Sequence, residues 1–211
     1  MKLVIKLGGS LLFDENGPII SYIDNLLPVL KKIDSEHEMI LAVGGGKFVK
    51  NYFSRVRKYL DNEKMEWIGI ELMKANALFF SYLLAKQPIF NIEAVSGPCV
   101  LSGIKPRRSS DANAAEAAAR IGADLLIKAT DVDGIYDEDP KTKNAKKYDH
   151  LSFEELGKFV SKTSPGKYGV LDPVAIEIIK KFRIKTIVIN GKPPKNILQA
   201  INGKNIGTII L

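Results

Sequence analysis

Two short glycine runs, each with a lysine beside it, are the residues of this chain best suited to chemistry. Lys6-Leu7-Gly8-Gly9-Ser10 and Val43-Gly44-Gly45-Gly46-Lys47 each follow an apolar, strand-like run, at 3–5 and 39–43, and each comes just before a segment that can be helical. A bare backbone at such a junction lets a phosphate approach main-chain N–H groups and the positive end of a helix. One junction of this kind is more often a tight packing turn than a ligand cradle. Two, each with a lysine (Lys6, Lys47), point to two phosphate-bearing ligands, or one ligand and its acceptor, which is the layout of a kinase. Neither run is a Walker loop, because no G-x-x-x-x-G-K-[ST] occurs, and neither is a G-x-G-x-x-G dinucleotide fingerprint.

Composition narrows the remaining chemistry. With two histidines, His37 and His150, both in polar loop-like surroundings, a His-dependent triad or His-rich metal site is not expected. One cysteine, Cys99, excludes a disulfide framework and a cysteine zinc site, and its apolar neighbours mark it as a small buried hydrophobe. Chemistry then rests on lysine, aspartate and backbone amides. The formal charge of +7 fits an anionic ligand, and the lysines are scattered instead of massed, so no nucleic-acid partner is expected. The first residues enter a strand without a signal-peptide pattern, and no apolar run approaches membrane-spanning length. A cytoplasmic protein without a membrane partner is the expectation.

The elements that must position these residues follow from hydrophobic pattern. Strand-like runs at 2–7, 38–43, 88–92, 98–102, 124–129, 185–189 and 207–211 alternate with helical spacing at 18–33, 46–60, 66–86, 111–121, 152–161, 172–182 and 193–202. Alternation with near-continuous apolar strands predicts an α/β fold, a mainly parallel sheet covered by helices on both faces, with ligands beyond the carboxyl ends of the strands. At 211 residues and 45% apolar content, the chain is expected to form one domain, 1–211, in two functional halves at about 1–103 and about 104–211. Ile68, Leu72, Ala75, Phe79 and Leu83 form an apolar stripe, expected mainly in the core, with Trp67 and Phe80 as neighbours and part of it free for a subunit contact.

After the strand at 125–129 comes Thr130-Asp131-Val132-Asp133-Gly134-Ile135-Tyr136-Asp137-Glu138-Asp139-Pro140. This run resembles the nucleotide-binding signature of the amino acid kinase superfamily. With K-L-G-G-S, V-G-G-G-K and S-S-D-A-N-A-A, the resemblance runs in family order over nearly the whole chain. E-W-I-G-I at 66–70, Lys74-Ala75-Asn76-Ala77 and V-L-D-P-V-A-I at 170–176 are most similar to archaeal UMP kinases. The resemblance implies the three-layer amino acid kinase fold and transfer of a phosphoryl group from ATP, with Mg²⁺ carried by the nucleotide and no protein metal ligand assigned. It further implies UMP as acceptor and a homo-oligomer, a hexamer built as a trimer of dimers. It places Thr130, Asp131, Tyr136 and Asp139 on ATP, with Gly9, Ser10 and Gly46 near its phosphates and Gly45 facing the acceptor. Lys6 becomes the charge that neutralises the transition state, and Asp111 the carboxylate that orients cationic groups; aspartate also caps well at the start of a helix.

Departures from that family pattern gather on the acceptor side. Lys50 stands for a common arginine after the triple glycine; it is grouped with the ATP-binding residues and also lies within reach of an acceptor phosphate. Glu66 stands for the aspartate that holds the acceptor ribose. The acceptor loop, usually close to P-G-H-T-T-D, reads Ile104, Lys105, Pro106, Arg107, Arg108, Ser109 and Ser110 before Asp111, with two arginines for a glycine and a histidine. The segment 84–103 is shorter than usual. Lys167 lies in a loop where acetylglutamate kinases carry a second transition-state lysine, or is simply a solvated loop residue. A fold relative acting on another small carboxylate or phosphomonoester, and a nucleotide-binding regulatory or storage module, are the alternatives.

Overall fold

The computed structural model describes residues 1–159 and 170–211; Lys167 lies outside the described residues. β1 (Lys2–Leu7) passes through a single turn, α1 (Gly9–Leu12), to α2 (Ile20–Glu36), and β2 (Glu38–Val43) leads into α3 (Gly46–Val56) and the long α4 (Asn62–Leu84). Short strands β3 (Pro88–Ile89) and β4 (Cys99–Leu101) precede α5 (Ser110–Ile121) and β5 (Leu125–Thr130). A small hairpin of β6 (Ile135–Tyr136) and β7 (Lys147–Tyr148) follows, then β8 (His150–Leu151), α6 (Phe153–Gly157), α7 (Pro173–Phe182), β9 (Thr186–Asn190), α8 (Lys195–Ile201) and β10 (Gly207–Ile210).

Among the described residues, eight strands form one sheet in the order β3-β4-β2-β1-β5-β9-β10-β8, parallel throughout except where β10 meets β9. The expected three-layer α/β architecture is therefore present. Successive strand residues point to opposite faces, and the core divides accordingly. Leu3, Ile5 and Leu7 pack with α2, α4 and α8, whereas Val4 packs with the alanines of α5 and with α6 and α7. Lys6 is the next residue on the Val4 face, so β1 aims its lysine at α5. Lys128, two residues after Leu126 on β5, faces the same way. Small side chains at Ala112, Ala114, Ala115, Ala117 and Ala118 let α5 lie close over both strands.

The stripe expected in the core of α4 is displaced. Met65, Gly69, Ile70, Ala77, Phe80 and Leu84 are the buried residues, while Ile68, Leu72, Phe79 and Leu83 are half-buried and Ala75 exposed. Neighbouring Gly69, Asn76 and Ser81 mask the true inner face in the sequence, because small and polar residues there break the apolar pattern. Phe80 is fully buried; Trp67 is 48% exposed and Tyr82 78% exposed. The strands β6, β7 and β8 were not predicted, since two-residue strands carry no alternation to read.

Candidate active site

The site is built where β1, β2 and β5 end, at one edge of the parallel sheet. Gly8 N–H donates to the Ala129 carbonyl at 2.8 Å, which fixes the first glycine turn against the end of β5. The two glycine turns then touch each other. A Cβ on Gly9 would sit 2.1 Å from the Gly46 nitrogen, and one on Gly46, whose φ is +68°, would sit 2.4 Å from the Gly9 carbonyl oxygen. Here the absence of side chains serves the packing of the turns themselves. It also leaves α1 and α3 starting on glycines without a side-chain cap, whereas α4, α5, α6 and α7 are capped by Asp61, Ser109, Ser152 and Asp172. Opening N–H groups of an uncapped helix suit an anion.

Around these turns lies a cleft of about 540 Å³. Its floor is Lys6 with residues 8–10 and 44–46, and one wall is Val49, Lys50 and Phe53 of α3 with Glu66, Gly69, Ile70 and Met73 of α4. Residues 105–110 and the pair Thr130 and Asp131 close the remaining sides. Lys6, Lys50, Lys105, Arg107 and Arg108 outnumber Glu66 and Asp131, so the cleft favours anionic ligands. Two buried asparagines brace its loops. Asn76 of α4 donates to the Gly44 carbonyl at 3.4 Å, and Asn113 of α5 donates to the Ser102 carbonyl at 3.2 Å.

Behind the floor is a buried charge cluster. Asp111 stands between two lysines: Lys6 Nζ is 2.9 Å from Oδ1, a close ion pair that is not aligned as a hydrogen bond, and Lys128 Nζ donates to Oδ2. Burial pushes the Asp111 carboxyl up, but the Lys128 and Lys6 ammonium groups outweigh it and hold it down at about 2. Burial likewise lowers Lys128 to about 8, with Lys6 adding to the fall and Asp111 opposing it. The helix cap that Asp111 offered in the sequence belongs instead to Ser109, whose hydroxyl accepts from the N–H groups of Asp111 and Ala112 at 3.1 and 3.0 Å. The same hydroxyl donates to Asp172 Oδ2, while Asp172 Oδ1 caps α7 through Val174 and Ala175.

The acceptor loop has a bent point at Arg107. Its φ is +60°, the left-handed region natural to glycine, and its N–H donates to Glu66 Oε2 at 3.2 Å. Arginine in that conformation costs roughly 1–2 kcal/mol, so the guanidinium is presented at the cleft against a local conformational preference.

Of the residues singled out in the sequence, Lys6, Gly9, Ser10, Gly45, Gly46, Lys50, Glu66, Lys105, Pro106, Arg107, Arg108, Ser109, Ser110, Thr130 and Asp131 line one cleft, and Asp111 lies just behind Lys6. Three others do not line it. Tyr136 donates its hydroxyl to Asp133 Oδ1 at 2.7 Å, Asp139 Oδ1 accepts from the Lys141 N–H at 3.0 Å to close a turn, and Ile104 packs into the core beneath α5. The sequence assigned no role to Lys128, nor to Asn76, Asn113 and Asp172, which lie inside the runs that carry the resemblance. Lys128 had a usable signal: a charged residue inside an otherwise apolar parallel strand, at the place Lys6 holds in β1.

The chain is similar to known proteins in both sequence and fold. The model of the amino acid kinase family matches residues 1–98 and 94–190. A uridylate kinase of Methanococcus aeolicus is 35% identical, and one of Thermococcus sibiricus 32% identical, each over 100% of this chain and 99% of the relative. The crystal structure of uridylate kinase from Archaeoglobus fulgidus superposes with a TM-score of 0.89 at 32% identity, covering 100% of both chains. With its glycine turns, sheet order and full-length relatives all in agreement, the chain belongs to the amino acid kinase family.

Proposed function

We propose that the protein transfers the γ-phosphoryl group of ATP to the phosphate of UMP, giving UDP and ADP for pyrimidine nucleotide synthesis. The observation that carries this reading is the position of Lys6: at the floor of a cationic cleft, in the strand that leads into the first of two touching glycine turns, and anchored from behind by Asp111. Full-length similarity to proteins named uridylate kinase supports UMP as acceptor. In the transfer, an oxygen of the UMP phosphate attacks the γ-phosphorus in line as the bond to the bridging oxygen of ADP breaks. A phosphate oxygen is already ionised near neutral pH, so no general base is required. Lys6 and the opening amides of α1 and α3 stabilise charge on the moving group, which is electrostatic catalysis by groups already in place.

Donor phosphates are assigned to Gly9, Ser10 and Gly46, with Thr130 and Asp131 toward the ATP nucleoside. Lys50, Arg107 and Arg108 are assigned to the acceptor phosphate, and Glu66 to its ribose. Phe53, Ile70 and Met73 offer an apolar wall for the acceptor base. Among the described residues no group of three His, Cys, Asp or Glu side chains could hold a metal by itself. Mg²⁺ is assigned to the nucleotide as part of the MgATP substrate.

The half-exposed apolar face of α4, with Trp67 and Tyr82 at its margins, supports a homo-oligomer, for which we propose a hexamer. Among the described residues no helix is long and apolar enough to cross a membrane, and a cytoplasmic location fits the substrates. The reading is tested by incubating the protein with MgATP and UMP and separating nucleotides by anion exchange. Equimolar UDP and ADP are expected; ADP without UDP would assign the acceptor elsewhere.

A further inference from the structure

Lys6 and Lys128 are register partners across the parallel strands β1 and β5. Their side chains leave the same face of the sheet side by side, and like charges placed opposite each other across strands repel. Both are almost fully buried, at 8% and 5% exposure. Asp111 is the carboxylate that enters between them, one oxygen to each. The two lysines are not equivalent, however. Lys6 lines the cleft, and Lys128 does not. No role in substrate contact is open to Lys128, yet a buried ammonium is costly to keep.

The charge count gives it a role. A lysine paired alone with one aspartate is a neutral unit, and a neutral unit has little to offer a transferring phosphoryl group. Two lysines sharing one carboxylate leave a surplus positive charge, and Lys6 is the member of the trio that faces the cleft. We propose that Lys128 is a positioning residue for phosphoryl transfer: by holding one oxygen of Asp111, it stops that carboxylate from neutralising Lys6 and fixes where the Lys6 ammonium stands. Lys128 touches neither substrate and acts through Asp111. Asp172 supplies further negative potential at Lys128, and its hydrogen bond from Ser109 ties the start of α7 to the start of α5, which carries Asp111.

The inference rests on the proposed transfer reaction, and its test separates the two. Lys128→Met keeps the length of the side chain and removes the charge. Turnover should fall about 10- to 100-fold, with the Michaelis constants for ATP and UMP each within about threefold of the parent. A loss confined to general packing would not produce that split. Turnover within threefold of the parent overturns the proposal. The double variant Asp111→Asn/Lys128→Met carries the test if the single variant does not fold, since it retains only one buried charge. Because Lys128 works through Asp111, the double variant should turn over within about threefold of Asp111→Asn alone; a further tenfold loss overturns the proposal. Melting temperature gives a readout that needs no activity. Asp111→Asn leaves two lysines facing each other without an anion, and removing Lys128 as well should raise the melting temperature above that of Asp111→Asn. No rise would show that the lysines are not coupled through Asp111 and would also overturn it. Wild-type protein inactive toward UMP would count against the acceptor assignment, and the melting comparison would still decide the coupling.

Discussion

Gly9 and Gly46 press backbone against backbone, so the turn after β1 and the turn after β2 are a single structural unit. This contact brings the start of α1 and the start of α3 to one point, where the proposed donor and acceptor phosphates meet. It also makes the site intolerant of a methyl group. Gly46→Ala combines a left-handed φ with an overlap of main-chain atoms, and each effect costs about 1–3 kcal/mol. We expect a loss of a few kcal/mol in urea unfolding together with loss of activity. Gly17→Ala provides the comparison, since a Cβ there meets nothing within 4 Å although its φ is also positive.

Lys6→Met should lower turnover at least about 100-fold and leave ATP affinity nearly unchanged. A charge aimed at the transferring group acts mainly in the transition state, where such contacts are worth several kcal/mol. Turnover number and equilibrium ATP binding are measured separately; near-normal turnover would remove Lys6 from the chemistry.

Glu66 connects α4 to the acceptor loop through the Arg107 N–H. Glu66→Gln keeps the shape and removes the charge from that bond and from the proposed ribose contact, at a cost of about 1–3 kcal/mol. The Michaelis constant for UMP should rise about tenfold, with that for ATP nearly unchanged. Arg107→Gly, which relieves the positive φ, should separate the two contributions of that residue: the loop becomes more stable while UMP binding weakens.

The charge cluster sets a pH response with two limbs. Lys128 loses its proton near pH 8, well below its ordinary value, because burial outweighs the attraction of Asp111. Turnover at saturating substrate should therefore decline above pH 8. Stability moves the other way for this group: between about 8 and the usual lysine range the unfolded chain binds more protons, so rising pH favours the fold. Asp111 is depressed to about 2, and its contribution is complete above its ordinary carboxylate value and lost as pH falls through about 2. The gap in melting temperature between wild type and Asp111→Asn should accordingly shrink between pH 5 and pH 2.

Much of this was legible in the sequence because it lies in continuous runs. The strands β1, β2, β5 and β9 are apolar on both faces, and the glycine turns follow two of them directly. The features that escaped are those made by tertiary contact. Lys128 looks like an interruption in a strand until β1 pairs beside it. Asp172 caps α7 with one oxygen, and its second oxygen meets Ser109 from 63 residues away. Tyr136 and Asp139 belong to a run that resembles a nucleotide-binding signature, yet their side chains close local turns beside the β6–β7 hairpin. On α4 the apolar stripe identified a half-buried face, from which Phe79 and Leu83 pack against the core, because the inner face is broken by Gly69, Asn76 and Ser81, each of which packs or bonds in ways hydropathy does not register.

Phosphoryl transfer to UMP through Lys6 is measured as ADP release coupled to a spectroscopic readout. The acceptor is varied among UMP, CMP, acetylglutamate, aspartate and isopentenyl phosphate, for wild type and for Lys6→Met. The account predicts rapid ADP release with UMP, much slower release with each of the others, and at least about a 100-fold loss in the Lys6 variant. Faster release with any other acceptor would contradict the substrate, and equal release by wild type and Lys6→Met would contradict the mechanism.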